Sequence, residues 1–170
     1  MYVFQIDAGN TSKAQCFGLV SATADKEPLL AKLLSQEYTR LCEAQEKNDV
    51  VALQLSVAIS QGDIFQDTLP SKIGCLYLDA SNGFSTLKRQ LSKILQDKSA
   101  PENLYIAVGA PFLDPSWIKK LNEELDMHPD VKFIVVADSQ KALSRANHNK
   151  LFGDLLLLSR QKKISVLMIN

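Results

Sequence analysis

The sequence predicts a three-layer α/β sandwich on a mainly parallel sheet, of RecA-like or Rossmann-like type. Three observations predict it. Short runs such as IGCLYLDA, LYIAVGAP and VKFIVVAD are apolar at nearly every position, as in strands covered on both faces. Between them lie segments with apolar residues at three- and four-residue spacing, the pattern of helices with one buried stripe. The two kinds alternate from about residue 15 onward, with no repeat, linker or low-complexity stretch, so helices are expected on both faces of the sheet with right-handed crossovers. The chain reads as one α/β domain over residues 1–170.

The elements follow in order. YVFQIDA is short and β-prone, and AQCFGLVSA is a second apolar run. Glu27 to Lys47 reads as a long helix. Leu29, Leu30, Leu33, Leu34, Leu41 and Cys42 form its stripe, Asp25 is its N-cap, and Pro28 lies in its first turn. VVALQLSVAIS, Val50 to Ser60, is apolar almost throughout and reads as a buried strand, followed by the strand IGCLYLDA. Phe84 to Gln96 is helical, with Leu87, Leu91, Ile94 and Leu95 on one face. After LYIAVGAP, Asp114 caps a helix that starts at Pro115 and carries Trp117, Ile118, Leu121 and Leu125. After VKFIVVAD, Asp138 or Ser139 opens a short helix through about Asn147. The run Leu155–Leu158 reads as core, Arg160, Lys162 and Lys163 as a solvated turn, and KISVLMIN as the last strand.

The 19 basic and 19 acidic residues cancel, so no whole-molecule field draws the chain to nucleic acid or an anionic membrane. MYVFQIDAG has neither the basic start nor the apolar core of a signal peptide. The longest apolar run is far too short to cross a bilayer, and a cytoplasmic location is expected. Cys16, Cys42 and Cys75 form no CxxC pair and read as reduced, buried thiols.

In parallel sheets, ligands and partners meet the loops at the carboxyl ends of the strands. The expected loops are Asp7–Lys13 or Ser21–Lys26, Ser60–Pro70, Asp79–Phe84, Gly109–Asp114 and Asp138–Lys141. Asp7, Asp79 and Asp138 each end a strand, and three converging carboxylates could hold Mg²⁺ for phosphoryl chemistry. Asp in that position also caps the turn or helix that follows. His128 and His148 lie in polar helix-end contexts without partners at metal-ligand spacing, and GxSxG, HExxH and GxGxxG are all missing.

QIDAGNTSK, Gln5 to Lys13, invites a phosphate-loop reading. A P-loop needs GxxxxGK[ST], and GNTSKAQ lacks the second Gly and the K[ST] pair. SATADKEPLLAKLL stands where a P-loop would, but it has no Gly and brings Asp25 and Glu27, which repel phosphate. No nucleotide or other cofactor is expected. DAGNTSK resembles the first phosphate turn of the sugar-kinase and actin superfamily, including type III pantothenate kinases, whose pattern is D-x-G-x-T-x-x-K. Asp7, Gly9 and Thr11 match, and Lys13 falls one place early. The segment is also similar to the opening strand of ribonuclease-H-like nucleases, but a long helix follows the second strand here. A hairpin turn at Gly9–Asn10 remains the simpler reading.

From about Cys16 to Ile169 the element order resembles a RecA-like fold that has lost its P-loop, as in SulA-type SOS cell-division inhibitors. The likeness rests on GLVSATADKEPLLAKLL at the missing-P-loop position, on LPSKIGCLYLD and on GAPFLDPSWIKKLNEEL. It implies a protein that binds the division protein FtsZ and uses no nucleotide.

Two functions are carried forward. The first is a non-catalytic regulatory or protein-interaction domain, by resemblance a cell-division or stress-response regulator. Its partner is another protein, with a homodimer left open, and it is bound through Ile64, Phe65, Phe84, Phe112, Leu113 and Trp117 in the strand-end loops. Trp117 is expected with one face open. The alternative is a Mg²⁺-dependent phosphohydrolase or nuclease using Asp7, Asp79 and Asp138.

Overall fold

A computed structural model describes residues 3–7, 13–17, 27–43, 50–63, 73–79, 81–96, 98–108, 116–137 and 144–169. They form β1 (Val3–Asp7), β2 (Lys13–Phe17), α1 (Glu27–Glu43), α2 (Val51–Gln61), β3 (Gly74–Asp79) and α3 (Phe84–Leu95). β4 (Leu104–Val108), α4 (Trp117–Met127), β5 (Val131–Ala137), α5 (Arg145–Lys162) and β6 (Ser165–Ile169) follow.

The strands form a six-stranded sheet in the order β1-β2-β6-β5-β3-β4. β6, β5, β3 and β4 are mutually parallel. β1 and β2 pair antiparallel, with Asp7 opposite Lys13, and β2 pairs antiparallel with β6. The two strands flanking GNTS thus form the two arms of a hairpin; residues 8–12 themselves lie outside the described set.

Alternation along the strands divides the core in two. Cys75, Tyr77, Phe133, Val135, Leu167 and Ile169 face α1, α2 and α3, against Leu34, Tyr38, Leu53, Leu55 and Leu87. Leu78, Ile134, Val136, Val166 and Met168 face α4 and α5, against Trp117, Leu121, Leu125, Leu151, Leu155 and Leu158. Helices on both faces of a largely parallel sheet make a three-layer α/β sandwich. Gly74 opens β3 where a Cβ would come within 2.9 Å of the Val131 backbone nitrogen, so β3 and β5 meet there only through glycine.

Two expected elements come out differently. Val51–Gln61 is a helix, not a strand. It is apolar around most of its circumference because it lies beneath α1 and against β3 and β5. Ser56 and Ser60 donate to the carbonyls of Ala52 and Ser56 at 2.8 and 2.9 Å, so two buried hydroxyls are satisfied inside the helix. Gly62, at φ +78°, closes it in the left-handed conformation. The last helix starts at Arg145 and runs to Lys162, through the Leu155–Leu158 run and into the basic cluster. Ser144 caps it by accepting from the Asn147 backbone nitrogen.

The helix at Val51–Gln61 also moves a loop. Ser60–Pro70 follows a helix, so it does not leave a strand's carboxyl end. The Asn103 side chain donates to the carbonyls of Ser60 and Ile73, at 2.9 and 2.6 Å, and Asn103 precedes β4. Both flanks of that loop therefore stand at the amino edge of the sheet.

Candidate functional site

β3 and β5 are neighbours, with Asp79 opposite Ala137. The chain leaves β3 for α3 on one face and leaves β5 for α5 on the other. This is the switch point of a doubly wound sheet, where a crevice opens between diverging loops. Asp79 ends β3 at this point and is fully buried.

The neighbours of Asp79 decide its role. Its Oδ1 accepts from the Ser81 and Asn82 backbone nitrogens, both at 2.9 Å, and from Ser81 Oγ at 3.1 Å. Its Oδ2 accepts from the Tyr77 hydroxyl at 2.8 Å and Asn82 Nδ2 at 2.9 Å. A carboxylate has about four lone-pair positions, so these donors leave none facing a cation. Burial pushes the Asp79 pKa up, but the hydrogen bonds from Asn82, Tyr77 and Ser81 outweigh it and hold the carboxyl below its ordinary value. Asp79 is an ionised tie that shapes the turn into α3.

The expected acidic triad does not assemble. β1 and β3 are separated by β2, β6 and β5. Four strand spacings of about 4.8 Å put the Asp7 and Asp79 backbones roughly 19 Å apart, too far for one Mg²⁺ with oxygens about 2.1 Å away. Asp138 follows β5 directly and lies outside the described residues. Among the described residues, no group of three or more His, Cys, Asp or Glu is placed to share a metal ion.

Two of the six apolar candidates, Phe84 and Trp117, are among the described residues. Phe84 begins α3 and is 67% exposed at the carboxyl edge. Trp117 begins α4 and is buried, 8% exposed, against the α4–α5 side of the core; the expected half-open indole is not found. Ile64, Phe65, Phe112 and Leu113 lie outside the described residues. The flanks of 64–65 are at the amino edge, whereas Phe84 stands at the carboxyl edge.

One feature of the described residues went unnoticed in the sequence. α4 and α5 must cover four parallel strands, and they leave an open trough of about 560 Å³ between α4 and β4. Leu76, Leu78 and Ala107 supply strand positions, and Trp117, Leu121 and Leu125 supply α4. Lys120, Glu124 and His128 add polar groups. Tyr105 closes one end: its ring meets that of His128 at a centroid distance of 4.5 Å, and its hydroxyl donates to Asp130 Oδ2 at 3.1 Å.

Cys75 is buried and Cys42 half-buried, and neither is in a disulfide. Burial pushes the Cys75 thiol up to about 12, despite a hydrogen bond with Ser56 that acts the other way. Cys16 belongs to β2, and its side chain lies outside the described set. No helix among the described residues is long and apolar enough to cross a membrane.

No family model matches the chain, and no curated protein matches its sequence.

Proposed function

We propose that this chain is a non-catalytic interaction domain of the regulatory kind, and that it receives a protein partner along the trough beside β4. The trough itself carries the reading. The half-buried Leu76 and Ala107 and the edges of the buried Leu78, Trp117 and Leu121 line a cavity open to solvent, and an apolar segment entering it would complete the cover of that lining. The occupied lone pairs of Asp79 count against the hydrolase alternative at the switch point.

The narrower role, a P-loop-less RecA-like regulator of cell division or stress response, stands on the sequence resemblance alone. Two elements depart from it. The strand expected at Val50–Ser60 is α2, and β2, which precedes the missing-P-loop position, runs antiparallel to β6.

Ala107→Arg tests the reading, because Ala107 lines the trough at a half-buried edge position. Proteins captured from the native host by the parent chain and lost by a folded Ala107→Arg variant are the expected result. The reading fails if Ala107→Arg keeps every partner. It fails equally if the chain hydrolyses phosphate esters with Mg²⁺ and Asp79→Asn abolishes that activity.

A further inference from the structure

β4 is LYIAV, without charge or proline, and β3 is its single neighbour among the described strands. The ladder fixes which backbone groups are used. The Cys75 nitrogen donates to the Asn103 carbonyl, and Cys75 is the register partner of Leu104. In a parallel ladder this turns the N–H and C=O groups of Tyr105 and Ala107 toward β3 and those of Ile106 and Val108 outward. Natural sheets blunt such an edge with charge, proline or a bulge. β4 has neither charge nor proline, and its register with β3 runs without a shift.

The surroundings of that edge differ between the two faces. On one face Tyr105 and Ala107 open into the trough. On the other, Leu104, Ile106 and Val108 pack against the cluster that includes Leu87 of α3. The charged residues of α3 are Lys88, Arg89 and Lys93, all exposed, and it has no acid. Side chains of an added strand alternate between these two faces.

We propose that β4 accepts an extended segment of another protein as a seventh strand, alternating apolar residues toward the trough with acidic residues toward α3. Main-chain bonds to Ile106 and Val108 supply attachment, and the alternation supplies selectivity. A second copy of this chain fits less well. Two-fold pairing of β4 with its own copy keeps like faces together, so α3 comes beside α3 and cations face cations. LYIAV also brings no acid to meet them.

This inference rests on the interaction reading above, and peptides separate the two. The probes are fluorescent peptides of alternating valine and glutamate, and of alternating valine and lysine, titrated into the whole chain by anisotropy. The expected result is binding of the glutamate peptide at least about tenfold tighter than the lysine peptide, weakening as salt rises. Ile106→Pro removes an outward N–H while sparing the ladder to β3, and it should abolish binding with the fold retained by circular dichroism. If that variant does not fold, combined Lys88→Glu, Arg89→Glu and Lys93→Glu tests the same point and should reverse the peptide preference. Equal binding of the two peptides overturns the inference, as does a preference that survives the charge reversal. A dimer of the free chain that Ile106→Pro dissociates would also overturn it, by making the second copy the occupant. If neither peptide binds while Ala107→Arg still loses the host partner, strand addition falls and the trough reading stands.

Discussion

The two outer strands of the parallel set, β6 and β4, are close in composition and opposite in setting. SVLMI and LYIAV have five residues each and no charge. Every residue of β6 is buried, and every residue of β4 is half-buried. The cause lies outside the strands themselves. β6 has β2 of the hairpin on its far side, whereas β4 has nothing there among the described strands. An apolar, β-prone sequence shows that a strand suits a covered place, but the cover comes from tertiary structure. Where the chain does not supply that cover, an uncharged edge is a template for another one.

The largest effect expected from this contrast is on stability. Leu167→Ala on β6, at 0% exposure, should cost about 2–5 kcal/mol. Ile106→Ala on β4 should cost about 1–2 kcal/mol, since its side chain is already partly in contact with water. Urea unfolding with an unchanged slope checks both. Equal losses would mean that β4 is covered as fully as β6.

The next effect belongs to the switch point between these edges. Asp79→Asn puts an amide donor among the groups that now donate to the carboxylate, at an expected cost of about 1–3 kcal/mol. The folded-state pKa is depressed, so this contribution is complete above the unfolded carboxylate value, about 3.9. It fades as the pH falls through the folded value. The difference in melting temperature between parent and variant should hold from neutral pH to about 5 and close below about 4. A gap that ignores pH would show that the lost charge is not the cause.

The layers, the parallel strands and α3 were legible in the sequence because their patterns are local. Gly74–Asp79, Leu104–Val108 and Val131–Ala137 are short, β-rich apolar runs. Phe84–Leu95 has a clear stripe. α2 was misread because VALQLSVAISQ is apolar around most of its circumference, and periodicity cannot separate a buried helix from a buried strand. Its local signals were Gly62 as a C-cap and Ser56–Ser60 at four-residue spacing. α5 was cut short at Asn147, although Ser144 marks its start. The trough could not be read at all, because it depends on how two helices divide four strands. Asp79 stood out in the sequence by its strand-end position, but its hydrogen bonds come from Tyr77, Ser81 and Asn82, whose convergence only the fold reveals.

The smallest effect is a rate. Cys75 lies on β3, directly inside β4, with its thiol pushed up to about 12 by burial. Cys42 is half-buried on α1. At pH 8, Cys42 should react with a thiol reagent well before Cys75, whose reaction must wait for local opening. Comparable rates would mean that the helical layer of α1, α2 and α3 over β3 opens readily.

Residue-resolved amide hydrogen exchange on the dilute chain, without any partner, tests the open edge most directly. The Ile106 and Val108 amides should exchange fast, while Tyr105 and Ala107, bonded to β3, and Leu167 in β6 exchange slowly. Ile106 and Val108 protected as strongly as Tyr105 and Ala107 would contradict the account, because the outer side of β4 would then already be occupied by the chain itself.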